Sequence, residues 1–84
     1  MSAAQGFDTD IIYIPLLEEG VPVVRPTRGR RMGEDQFFVL PSPDYDPVIE
    51  SWEFPPGSVV QCVIELHDGE KISVARKLIR AAAE

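Results

Sequence analysis

Hydrophobic and polar positions alternate most regularly across residues 54–74, FPPGSVVQCVIELHDGEKISV. A β-branched run at residues 58–66 is followed by the polar break His67-Asp68-Gly69, and a second run starts at Glu70. A side-chain period of two on both sides of a turn signal predicts an antiparallel hairpin. Ahead of it, Pro56-Gly57 suits the centre of a type II turn, because proline presets φ and glycine accepts φ > 0. Two registers are open. A two-residue loop at Asp68-Gly69 sets Glu65 opposite Ile72 and Leu66 opposite Lys71, which mixes polar and apolar residues on both faces. A three-residue loop, with Gly69 in the left-handed region, pairs Ile64 with Ile72 and Cys62 with Val74 and sends Glu65 and Lys71 outward. A slip of one residue exchanges the faces. The cleaner segregation favours the three-residue loop. It turns Val60, Cys62, Ile64, Leu66, Ile72 and Val74 inward and leaves His67 in the loop.

The earlier chain repeats this logic. Residues 10–17 (DIIYIPLL) read as a strand in which Pro15 removes a ladder donor, so an edge or a bulge is expected there. Glu18-Glu19-Gly20 predicts a second three-residue loop, pairing Leu17 with Val21, Pro15 with Val23 and Tyr13 with Arg25, while Ile14 faces Val24. The Arg25 guanidinium could then stack on the Tyr13 ring. Residues 28–35 (RGRRMGED) read as a loop from two glycines and dense charge. Residues 36–40 form a short third strand, with Phe37 and Val39 on one face and Phe38 and Leu40 on the other. Three prolines in residues 41–47 exclude regular structure there. The alternation Trp52-Glu53-Phe54 directs two rings to one end of the core.

The tail, residues 75–84 (ARKLIRAAAE), consists of strong helix formers, so the last strand is expected to stop near Lys77 and give way to a helical turn. Residues 1–8 are expected to form a flexible N-terminus ahead of a single domain at 9–84. Short strands, tight hairpins and Pro/Gly-rich connections predict an all-β fold. The expectation is a small five-stranded antiparallel SH3-like barrel with a short C-terminal helical turn. An OB-type barrel would need longer strands.

The chain has 84 residues, enough for one modest core. Its formal charge of −6 argues against general duplex-DNA binding, where affinity comes from cationic side chains. One cysteine excludes an internal disulfide. No apolar run approaches a membrane span and no signal-peptide pattern is present, so a cytoplasmic protein without membrane contact is expected. The charges fall in blocks. Residues 25–31 hold four arginines, residues 32–70 nine acids without a base, and residues 71–80 four bases.

The segments IPLLEEGVPVVRP (residues 14–26), DQFFVL (residues 35–40) and WEFPPGSVVQC (residues 52–62) resemble a group of short uncharacterised bacterial proteins. Those proteins share a strand–EEG–strand start and a W-x-F-x-x-G-x-x-V segment. The resemblance spans most of the chain and implies a compact β domain, with no activity attached.

Catalytic chemistry finds little support. A lone Cys62 and a lone His67 fall short of the four ligands of a structural zinc site, and an inward Cys62 is a packing residue. Ser58, His67 and Asp68 cannot form a triad, since Ser58 lies at the far end of the strand. Asp8-Thr9-Asp10, Asp44-Tyr45-Asp46 and Glu50/Glu53 lack the calcium-loop pattern, and RGRRMG lacks the phosphate-loop ending. No enzyme, metal or cofactor is therefore expected.

What remains is recognition. Arg25, Arg28, Arg30 and Arg31 could clamp a partner's carboxylates or phosphates, or simply neutralise the acidic blocks of their own chain. Residues 34–53 mix carboxylates with aromatics and prolines, a composition suited to a protein-binding surface or a solubilising loop. The candidate partner-binding residues are Tyr13, Arg25, Arg28, Arg30, Arg31, Asp44, Tyr45, Asp46 and Trp52. The first expectation is a bacterial interaction module that binds another protein, as a monomer or homodimer. The alternatives are an acidic phage or mobile-element inhibitor that mimics nucleic-acid charge, and an RNA or anionic-ligand binder using the arginines.

Overall fold

The alternating runs become five strands in the computed structural model, which describes residues 9–82. These are β1 (Thr9–Pro15), β2 (Val24–Arg31), β3 (Gln36–Val39), β4 (Val59–His67) and β5 (Glu70–Arg80). The flexible stretch expected at 1–8 lies outside the described residues. Consecutive strands pair antiparallel, and β1 closes on β5 through a parallel bridge, Tyr13 to Val74. The all-antiparallel barrel expected from sequence is thus corrected at one seam. In an up-and-down meander of five strands the first and last run the same way, so closure between them has to be parallel.

The core lies inside this barrel. Ile12 and Ile14 from β1, Phe37 and Val39 from β3, and Val60 and Cys62 from β4 meet there, with Trp52 and Phe54 packed against them. Phe37 and Val39 share one face of β3 as the alternation predicts, and it is that face which enters the core; the two aromatic rings close the core as their spacing predicts. The Pro55–Ser58 turn also forms as expected, with Ser58 N donating to Pro55 O at 3.1 Å and Gly57 at φ 97°.

Both hairpin loops differ from expectation. The β4–β5 loop is the two-residue Asp68-Gly69, with φ of 52° and 83°. Positive φ at both centres is the type I′ turn, whose twist matches that of the flanking strands, whereas a wider loop would have to add a bulge. Glu65 therefore lies opposite Ile72, Leu66 opposite Lys71 and Ile64 opposite Ser73, and His67 ends β4 opposite Glu70. Cys62 meets Ala75 rather than Val74. Val60, Cys62 and Val74 are buried as predicted, but Ile64 and Leu66 are not. Gly69→Ala is expected to cost about 1 kcal/mol through left-handed strain and to lower Tm by about 4–8 °C in thermal unfolding. An unchanged Tm would contradict the I′ geometry.

The β1–β2 connection is not a tight turn. Pro15 pairs with Val24, Ile14 with Arg25 and Tyr13 with Pro26, one residue out from the predicted register. Leu16 N donates to Val23 O at 2.9 Å, and beyond it the chain opens. The reason lies elsewhere in the sequence. Leu16 bridges Trp52, Leu17 N donates to Ser51 O at 2.7 Å, and Glu53 N donates to Pro15 O at 2.9 Å. The end of β1 satisfies its backbone on the residue 51–53 segment instead of on a hairpin partner. The predicted Tyr13–Arg25 stacking is lost with the register.

Two further boundaries move. The RGRR stretch, expected as loop, is the second half of β2, with Thr27 and Gly29 turned inward. Among its described residues the tail forms no helical turn, because β5 continues to Arg80, pairing Leu78 with Val60 and Arg80 with Val59. Ladder hydrogen bonds to β4 outweigh a helix propensity that differs by only a few tenths of a kcal/mol per residue.

Candidate functional site

The Pro-rich loop, residues 40–54, folds back along β2, so the two polar features singled out in the sequence become neighbours. Leu40 N donates to Arg28 O at 3.0 Å, and the Thr27 hydroxyl donates to Leu40 O at 2.6 Å. Asp46 then organises the loop tip. Its carbonyl accepts from Ile49 N at 3.0 Å and Glu50 N at 2.9 Å, and its Oδ1 accepts from Val48 N at 2.9 Å. Pro47 fits between them, since a turn asks no N–H of it. The result is an ordered turn that carries Val48 91% exposed and Ile49 77% exposed.

Glu50 ties this turn to both the core and β2. Its carboxylate accepts from Trp52 Nε1 at 3.1 Å and forms an ion pair with Arg25. The Trp52 N–H first, and the Arg25 guanidinium second, hold the carboxyl below the usual range. Tyr45 packs edge-on to Trp52, with centroids 4.6 Å apart and planes at 66°. Trp52 itself is only 5% exposed. It anchors the loop from beneath through its contacts with Tyr45 and Glu50. A shallow cleft of about 470 Å³ separates Arg25 and Glu50 from Asp44 and Pro43.

The four arginines do not form one clamp. Arg25 belongs to the loop cluster. Arg31, at the other end of β2, pairs with Asp10, donates to Glu34 O at 2.6 Å and covers the Phe37 ring at 4.9 Å. Arg28 and Arg30 face outward between them. Arg28 reaches Thr9 Oγ1 at 3.5 Å, and among the described residues neither Arg28 nor Arg30 has a carboxylate partner. Tyr13 lies on β1 opposite Pro26, away from Arg25.

A second polar cluster was hidden by the wrong hairpin register. Arg76 donates to both oxygens of Glu65, through Nε at 2.5 Å and Nη2 at 2.7 Å, and His67 Nε2 lies 3.0 Å from Oε1. Arg76 sits at a bulge of β5, where the pairing shifts between Gln61 and Cys62. His67 is therefore a strand residue, half-buried beside a cleft of about 200 Å³ shared with Pro15, Leu16, Pro22 and Val23. The signal that could have revealed it is the Asp-Gly dipeptide, a strong marker of a two-residue hairpin loop.

This cluster carries a pH prediction. The Arg76 hydrogen bonds first, and His67 second, hold the Glu65 carboxyl down to about 2. A carboxyl depressed by folding stabilises the fold fully above the ordinary carboxylate range, and that contribution fades as pH falls toward about 2. The Tm difference between wild type and Glu65→Gln is expected to be constant at neutral pH and to close toward pH 2. A difference that persists undiminished into strong acid would refute the pairing.

Cys62 is buried, and burial first, with the Asp35 charge second, pushes its thiol up to about 11. Ser58 is also buried, at the opposite end of β4 from His67, roughly 30 Å away at strand rise. Among the described residues no three His, Cys, Asp or Glu side chains gather as a metal set, and no helix is long and apolar enough to cross a membrane. Comparisons with protein-family models, curated proteins and solved structures return no match to this chain.

Proposed function

We propose that this chain is a non-enzymatic, SH3-like interaction module that binds a partner protein through the residue 41–50 loop and the adjoining part of β2. The observation that carries the reading is the loop tip. Two neighbouring β-branched side chains stand almost fully in water on a turn fixed by three hydrogen bonds to Asp46. A preorganised apolar tip flanked by Arg25, Asp44 and Glu50 has the make-up of a small hot spot with a polar rim. Because the turn is already ordered, little entropy is lost on docking. The buried thiol of Cys62 and the separation of Ser58 from His67 support a role without catalysis.

The test compares wild type with Val48→Ser/Ile49→Ser as immobilised baits. Trp52 and Tyr45 are left intact, since changing them would disturb the core. A true partner should bind the variant about 30-fold more weakly, the loss of a hot spot near 2 kcal/mol. Equal capture by two folded baits would end the proposal.

A second reading rests on Arg28 and Arg30, outward on β2 with no carboxylate partner among the described residues. Such arginines suit a phosphate-bearing ligand such as single-stranded RNA. A gel shift that disappears in Arg28→Ala/Arg30→Ala would support it, and no shift at physiological salt would remove it.

A further inference from the structure

The apolar stripe of β4 outruns the barrel that should bury it. Val60, Cys62, Ile64 and Leu66 share one face by the period of two. The first two are in the core, but Ile64 is 65% and Leu66 69% exposed. Pairing with β3 ends at Gln61, extended only by Cys62 N donating to Asp35 O at 2.8 Å. Past that point β4 has no neighbour but β5, which itself meets β1 at Val74.

The backbone of this part of β4 is open on the same side. In a two-residue hairpin the pair next to the turn, His67 and Glu70, exchanges both hydrogen bonds, and every second pair follows suit. The amides and carbonyls of Val63, Glu65 and His67 therefore face β5. Those of Ile64 and Leu66 face away, as the bond from Cys62 N to Asp35 already indicates. Among the described residues nothing pairs with them. Natural edges are usually guarded by charges, lysine above all, by proline or by a bulge, and residues 63–66 (VIEL) offer only Glu65, whose carboxylate is already held by Arg76.

We propose that this edge of β4 is the interface of a homodimer, formed by antiparallel pairing with the same strand of a second copy. Antiparallel addition of a strand to itself is a two-fold contact, so a single surface completes both halves. Charge selects the register. A two-fold axis at Glu65 would oppose two carboxylates, which is destabilising. An axis at Leu66 opposes the two leucines, brings each Ile64 to the diagonal of the other leucine, and sets each Glu65 opposite the other copy's imidazole. The four apolar side chains then cover one another on the face that the barrel leaves bare. The interface is small, so the association is of the weak, concentration-dependent kind. It is independent of the loop-tip reading, whose residues lie in the 41–50 loop and not on β4.

Sedimentation or native mass measurement between about 1 and 300 µM tests this, a range chosen for a weak contact. Wild type is expected to shift from monomer to dimer. Leu66→Lys is expected to weaken dimerisation about tenfold, by replacing the leucine pair at the axis with like charges opposite each other. Its Tm should change little, since Leu66 is exposed. Leu66→Cys is expected to cross-link to its symmetry mate under mild oxidation, while the buried Cys62 thiol stays out of the reaction. Monomeric wild type throughout the range, or a dimer untouched by Leu66→Lys, would overturn the proposal. So would a Leu66→Cys protein that does not cross-link.

Discussion

Trp52→Ala is expected to abolish or nearly abolish cooperative folding. The indole is buried in the core cluster with Ile12, Ile14 and Phe54. It also bridges Leu16 of the β1 end, takes the Tyr45 edge and donates to Glu50. Truncating a buried tryptophan to alanine costs about 3–5 kcal/mol. A domain of this size sits at the low end of the 5–15 kcal/mol range of stabilities, so most of the margin disappears. At about 4–8 °C per kcal/mol, Tm should fall by more than ~12 °C. Trp52→Phe keeps most of the buried area and loses the Nε1 bond to Glu50, so its effect should be much smaller. A Trp52→Ala protein that melts within ~5 °C of wild type would show that the ring does not close the core. The same prediction explains why binding cannot be probed by changing Trp52.

Gly29→Val is the second large effect. An added Cβ at Gly29 would lie 2.7 Å from Ile12 Cδ1 and 3.0 Å from Phe37 Cβ. The isoleucine methyl can rotate away, but the phenylalanine β-carbon is fixed to the β3 backbone. Overpacking of this kind costs about 1–3 kcal/mol, and the two further methyl groups of valine place it at the upper end. A Tm drop of roughly 8–20 °C follows, with Gly29→Ala falling by less. Gly33→Ala is the control, because its nearest neighbour would be Gln36 Oε1 at 3.5 Å, an ordinary contact. Equal melting of Gly29→Val and Gly33→Ala would remove the close-packing argument.

Gly29 also shows where local reading failed. Two glycines among five charges in RGRRMGED have the composition of a loop. In the barrel the glycine is required by the approach of Ile12 from β1 and Phe37 from β3. The arginines on either side simply occupy the outward positions of a strand. Neither neighbour is near in sequence, so no window around residue 29 could reveal the strand. The Glu65–His67–Arg76 cluster failed for a related reason. The three-residue loop gave cleaner faces on paper, under the assumption that Ile64 and Leu66 had a core to enter. The barrel ends before them, and that assumption falls.

The loop site was half legible. Composition pointed to Arg25, Asp44, Tyr45 and Asp46 and to a Pro-rich, acidic surface. The exposed tip Val48-Ile49 and the role of Glu50 as a hub were not visible. Nothing in the local pattern singled out the pair, and the partners of Glu50 are a guanidinium from β2 and an indole N–H that only the fold brings within reach.

Sequence by itself determined the all-β class, the short third strand, the Pro56-Gly57 turn, the inward Cys62 and the Trp52/Phe54 closure. Each of these rests on side-chain period or on the φ range of one or two residues, which are properties of neighbours along the chain. Tertiary structure decided the hairpin registers, the parallel seam, the strand character of the arginine stretch and of the tail, and the exposure of Ile64 and Leu66. These depend on which distant backbone groups compete for the same hydrogen bonds and on where the barrel runs out of partners, and that competition exists only once all five strands are in place.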